Sequence, residues 1–235
     1  MRIAFVLVFL VYLLQALLVN SRSPDQAPRR LSPLTFSVQS LLFCLALYFA
    51  VQRGMLSRDL VSPLSIGGGL LFGHFVFGVS LLVTHQELRD AAAHFLEFKA
   101  LWHFLVENPP IIFRFLLVAT TEEIIYRAAA QPLLMEATGW PLLSLTAVAL
   151  AFSLVHWHFF RNPVVQSAEF LGFALLLGFL YYWTVSLSLV VVIHTLRNLE
   201  IVYLEYLVKL DELGDEEQAM KAIETAYSHK PAERA

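Results

Sequence analysis

The sequence predicts an all-α protein built as a polytopic transmembrane helix bundle, with about seven spanning helices and an amphipathic helix lying in the interface. Three observations predict this. Of the 235 residues, 58% are hydrophobic and 15% charged, the mean hydropathy is +0.66, and long apolar runs recur along the chain. A soluble domain carries about 25% charged residues, so a water-facing surface is hard to build from this composition. Helices rather than strands follow because lipid offers no partners to the backbone of an open sheet.

Crossing a ~30 Å hydrocarbon layer takes about 17–25 mostly apolar residues in a helix. Runs of this kind cover residues 3–19, 35–51, 64–84, 111–134, 141–157, 165–183 and 186–207, the fourth interrupted by charges. The first exceeds the usual apolar stretch of a signal peptide, and Leu18-Val19-Asn20-Ser21 offers no small-residue cleavage site, so it reads as a membrane anchor. Polar loops at 20–33 and 52–63 separate the first three spans. Residues 85–108 mix Glu87, Arg89, Asp90, Glu97 and Lys99 with Leu88, Phe95, Leu101, Trp102 and Phe104, the pattern of a helix in the interface plane. Pro109-Pro110 ends that segment and starts the fourth span.

This divides the chain into N-terminal helices and interfacial segment (1–108), a four-helix core (109–207) and a polar, solvated tail (208–235). Arg22, Arg29, Arg30, Arg89, Lys99, Arg161, Lys209 and Lys221 fall on one side against Arg2, Arg53 and Arg58 on the other. The positive-inside rule then puts the tail in the cytoplasm and the N terminus outside; the expected setting is a multi-pass protein of the bacterial inner membrane. A net charge of −3 provides no basic stripe for nucleic acid. Cys44, the single cysteine, makes no intramolecular disulfide and reads as a packing residue. Gly67-Gly68-Gly69, Gly172 and Gly178 lie within spans, where they suit close helix contact rather than a phosphate cradle.

The fourth span places Glu122 and Glu123 near its middle. A central charge costs about 2.5–3.5 kcal/mol on insertion scales, which makes an intramembrane carboxylate a functional candidate. Glu123 and Arg127 share a face and form a clamp. Glu122 lies about 100° round the helix with Ile125 and Tyr126 at its +3 and +4 positions, so it is left to act on something else. In the fifth span Phe152 and His156 share a face, with His158 pointing nearly opposite; Trp157, Phe159 and Phe160 suit an interface belt. His194 and Asn198 stand one turn apart in the last span, a pair that serves helix association or catalysis equally well. Together the three faces offer a carboxylate base, imidazoles and an amide, the parts needed to activate water and hold a tetrahedral oxyanion. Peptide hydrolysis fits that inventory.

Glu122-Glu123-x-x-x-Arg127, Phe152-x-x-x-His156 and His194-x-x-x-Asn198 resemble the three motifs of the CPBP (Abi) intramembrane proteases, which include type II CAAX prenyl endopeptidases and bacteriocin-processing or immunity proteins. The likeness covers residues 111–207. It implies Glu122 as the general base, His156 orienting the water, His194 and Asn198 lining the oxyanion site, and Glu123, Arg127 and Phe152 in support. It also implies a membrane-anchored or lipid-modified protein substrate met within the bilayer. Many relatives carry Gly after the motif arginine, whereas this chain has Ala128-Ala129-Ala130.

Other protease chemistries lack their parts. Asp25, Asp59, Asp90, Asp211 and Asp215 all lie outside the spans, and neither Gly-x-Ser-Gly nor His-Glu-x-x-His occurs. No cofactor is required by the glutamate reading, although Glu122, His156 and His194 also have the ligand types of a catalytic zinc site. The non-enzymatic alternatives are an ion or proton transporter and a membrane immunity protein.

Overall fold

The computed structural model describes residues 1–20, 33–55, 62–85 and 88–227, and among these it contains helices and no strand. In chain order they are α1 (Arg2–Asn20), α2 (Pro33–Gln52), α3 (Pro63–His85), α4 (Leu88–Leu96), α5 (Phe98–Glu107) and α6 (Pro109–Glu123). A π-helical turn (Ile124–Ala130) leads into α7 (Gln131–Thr138), followed by α8 (Pro141–Val155) and a 3-10 turn (Trp157–Phe160). The last three are α9 (Val164–Thr184), α10 (Leu187–Leu213) and α11 (Glu216–Tyr227). Proline opens α2, α3, α6 and α8, where its missing N–H costs nothing. Gly139 and Gly214, at φ +69° and +67°, close α7 and α10 in the left-handed conformation that spares a side chain.

The protein is an integral membrane protein. Among the described residues five helices, α1, α2, α3, α9 and α10, are long and apolar enough to cross a bilayer, and a sixth span is counted if α5 and residues 109–138 are taken together across their 93° bend. That is fewer than the seven runs read from hydropathy. α8 has only 15 residues because the backbone turns extended at His156 (φ −86°, ψ 116°). The segment expected in the interface is two short helices, α4 and α5, parted at Glu97. Leu7, Leu71 and Leu117 point away from the bundle, as lipid-facing side chains do.

One apolar core runs through α1, α2, the π-helical turn, α8, α9 and α10, so residues 1–108 and 109–207 share their packing. Cys44, expected inside, is exposed on α2. The stretch expected as a solvated tail continues α10 to Leu213 and then folds back as α11, whose Ala219 and Ile223 are buried; Ile223 joins Phe104 of α5 with Val202 and Tyr203 of α10. Arg2 and Arg53 both reach Glu136, at 3.0 and 2.5 Å, so the free ends of α1, α2 and α7 lie together. Arg22, Arg29, Arg30 and Arg58, used to read the orientation, are outside the described residues.

α3 and α10 pack closely against each other. A Cβ on Gly69 would stand 2.9 Å from the Val192 side chain, and one on Gly73 would stand 3.2 Å from the Ile193 Cα. Gly69 and Gly73 are four residues apart, the small-xxx-small spacing that lets two backbones approach. Gly178 is similarly close to Gln131 and Leu145, whereas Gly67, Gly68 and Gly172 have open space around them. Because Ile193 precedes His194, this approach fixes the depth and rotation of the residue that matters next. Gly73→Leu should lower the stability of the detergent-solubilised protein by about 1–3 kcal/mol through overpacking, read as a fall in Tm, while Gly67→Leu leaves it unchanged.

Candidate active site

The π-helical turn follows Glu123 directly, and single-turn π segments inside helices recur at functional sites. Ala128 and Ala129, both fully buried, let this turn pack close to α2. Glu123 itself has no solvent exposure; its Oε2 accepts from Arg127 Nε at 3.1 Å and its Oε1 lies 2.8 Å from His194 Nδ1. Arg127 also donates to the Ala174 carbonyl at 3.0 Å. The expected clamp is therefore present, and it reaches a third residue on α10.

A carboxylate bound by a guanidinium can only accept, so the proton between Glu123 and His194 sits on Nδ1. His194 Nε2 then faces the other way, 3.6 Å from Glu122 Oε2. His156 repeats the arrangement. Its Nδ1 is 2.7 Å from the Phe152 carbonyl oxygen, which can only accept, and its Nε2 is 3.6 Å from Glu122 Oε1. One carboxylate, on the neighbouring face of the helix that carries Glu123, thus fronts two imidazoles whose far nitrogens are already fixed. This fixing of ring orientation and tautomer by a partner on the far nitrogen is what makes a histidine a directed base or ligand.

Phe152 is fully buried beneath the group. Its ring lies 4.6 Å from His156 and 5.8 Å from His194, edge-on to Tyr126 at 5.1 Å, with the Arg127 guanidinium 5.5 Å above it. Asn198, one turn beyond His194, is half-buried and is not joined to Glu122, His156 or His194 by a hydrogen bond.

His158 differs from expectation. Helical geometry carried past residue 155 sends it away from His156, but the extended His156 and the 3-10 turn bring the two rings to 5.4 Å, with His158 against Phe170 at 4.7 Å. Burial, with the positive charges of His156 and Arg197, takes the His158 imidazole down to about 4. Phe160 is exposed, as a belt residue should be, and Phe159 is half-buried.

A second polar chain was not read from the sequence. Arg197 Nη2 binds both oxygens of Glu169 on α9, at 3.0 and 2.7 Å, and lies 4.4 Å over the Phe173 ring; Ser80 of α3 donates to Glu169. Glu200, fully buried, meets His74 of α3 at 2.5 Å. The signal for these residues was the one that marked Glu122, an ionisable group within a span, but nothing local names their partners. Among the described residues, no three His, Cys, Asp or Glu side chains are grouped so as to hold a metal ion.

Residues 100–199 match the family model described as Rce1-like, type II CAAX prenyl endopeptidase Rce1-like. No curated protein and no solved structure was found to match the chain. The family match bears out the resemblance read from the three motifs, all of which lie within the matched segment.

Two measurements follow from the packing around the site. Arg127→Ala should cost about 3–5 kcal/mol of stability by leaving a buried carboxylate uncompensated, and Arg127→Met combined with Glu123→Gln should lose less. The unfolded chain protonates His158 near its ordinary 6.5 and the folded chain only near 4, so its share of stability is present above 6.5 and is lost as pH falls toward 4. His158→Phe should flatten the dependence of Tm on pH across that window.

Proposed function

We propose that the protein is an intramembrane endopeptidase using Glu122 as its general base on a membrane-anchored or lipid-modified protein substrate, a reading supported by the match of residues 100–199 to the Rce1-like model of type II CAAX prenyl endopeptidases. The observation that carries this reading is the placement of Glu122 with one oxygen 3.6 Å from His156 Nε2 and the other 3.6 Å from His194 Nε2. It is the one carboxylate of the group that Arg127 does not bind directly.

In this reading a water held by Glu122 and His156 Nε2 attacks the scissile carbonyl carbon as Glu122 takes its proton. The carbonyl oxygen becomes an oxyanion, and Asn198 donates to it from the next turn of α10. His194, its ring oriented by the Glu123 carboxylate at Nδ1, lines the oxyanion site beside Asn198. When the C–N bond breaks, the proton on Glu122 passes to the leaving amine and the acid leaves with a new carboxylate. Preorganised donors in a water-poor bundle stabilise developing charge more strongly than they would in water. Arg127 neutralises Glu123 throughout, so Glu122 is the carboxylate free to change protonation state.

The reading uses no metal and sets the protein in a bacterial inner membrane with its tail in the cytoplasm, the side that the arginine and lysine distribution supports. The test uses the full chain in bilayer nanodiscs with a prenylated peptide ending in a CAAX box. Glu122→Gln should lower kcat by about 10²–10⁴, the range of general-base catalysis, with Tm unchanged. Wild-type cleavage by Glu122→Gln would contradict the assignment, and loss of activity on strict chelation that zinc restores would give Glu122, His156 and His194 a metal instead.

A further inference from the structure

The last four carbonyls of a helix have no partner within it, and in lipid each must find a donor. At the end of α8 every one of them does. The Phe152 oxygen is bound by His156 Nδ1 at 2.7 Å and the Ser153 oxygen by the His156 backbone N–H at 3.1 Å. The two that remain, Leu154 and Val155, both accept from a single side chain, Asn20 Nδ2, at 3.1 Å each. Asn20 is the last residue of α1, more than 130 residues away in the chain.

An amide nitrogen carries two hydrogens, so one asparagine satisfies both oxygens at once. Without it those carbonyls would gain partners most easily by extending α8 another turn, drawing N–H groups from residues 158 and 159. His156 would then adopt helical φ and ψ instead of the extended conformation it has, and its ring would rotate away from Glu122. α1 touches the site elsewhere too, through Phe9 edge-on to Tyr126 at 5.7 Å.

We propose that Asn20 is a positioning residue of the active site: its side-chain amide caps α8 from another helix, holds the break at His156, and so sets the His156 ring against Glu122. The inference rests on the glutamate reading of the site for its effect on cleavage. It places a necessary part of the catalytic geometry outside residues 100–199, in the first helix of the chain.

The experiment compares Asn20→Leu, Asn20→Asp and Asn20→Gln in the full chain in nanodiscs. Hydrogen exchange is read over residues 153–160, and cleavage of the prenylated CAAX-box peptide is followed beside Glu122→Gln as a control. Asn20→Leu keeps the branched shape and loses both donors; it should change exchange at the α8 terminus alone and lower kcat roughly ten- to a hundredfold, the cost of a misplaced reacting group, with KM unchanged. Asn20→Asp aims an acceptor at two acceptors and should do no better than leucine, whereas Asn20→Gln keeps the donors and should recover most of the rate. Unaltered exchange in Asn20→Leu, a wild-type kcat in Asn20→Leu or Asn20→Asp, or a loss confined to KM would overturn the proposal. Should Glu122→Gln cleave at the wild-type rate, the glutamate reading falls by itself and the exchange result still decides whether Asn20 is the cap.

Discussion

A carboxylate buried in a lipid-embedded bundle must be neutralised where it stands, and Glu123 is neutralised from two sides. Arg127 comes from the next turn and His194 from α10. That triad is the constraint from which the site follows. It makes Glu123 acceptor-only, fixes the proton on His194 Nδ1, turns Nε2 toward Glu122, and leaves Glu122 as the carboxylate of the pair that Arg127 does not bind. Taking Arg127 away would unbalance a buried charge; taking Glu123 away would leave the ring without its orienting partner. Stability and the geometry of the candidate site thus depend on the same few atoms.

The surrounding bundle brings α10 to the required place. Glycines at 69 and 73 allow α3 to lie almost backbone to backbone with α10 beside His194. The Arg197–Glu169–Ser80 and Glu200–His74 contacts then tie the same helix to α9 and α3. Such polar ties are costly to bury singly, but they have no water to compete with in the bilayer, and they specify which helices meet. Phe152 provides the floor on which both imidazoles and the Arg127 guanidinium rest.

Much of this was legible in the sequence because membrane proteins are strict about charge. Hydropathy located the helical class, and the expense of Glu122, Glu123, His156 and His194 inside apolar runs singled out four side chains that the fold brings together. What hydropathy could not show was where helices stop. The end of α8 at Val155 and the π-helical turn after Glu123 are invisible to an apolar-run count, and the first of these explains why His158 lies beside His156 rather than opposite it. Pairings across the bundle were equally out of reach: Glu169, Arg197 and Glu200 announce themselves as ionisable, but Ser80 and His74 are distant in the chain. Asn20 reads locally as the polar edge of an anchor helix, and only the fold shows it touching α8. The tail looked solvated by composition, yet the spacing of Ala219 and Ile223 gives α11 one apolar face, and that face is buried.

The arrangement makes a direct statement about protons: both site imidazoles carry hydrogen on Nδ1, because each Nδ1 meets an oxygen that can only accept. Solid-state ¹⁵N NMR of histidine-labelled protein in bilayers, with His156 and His194 assigned by single substitution, reads this without reference to any substrate. The account predicts a protonated Nδ1 on both rings. A neutral ring bearing its proton on Nε2 at either position would contradict it.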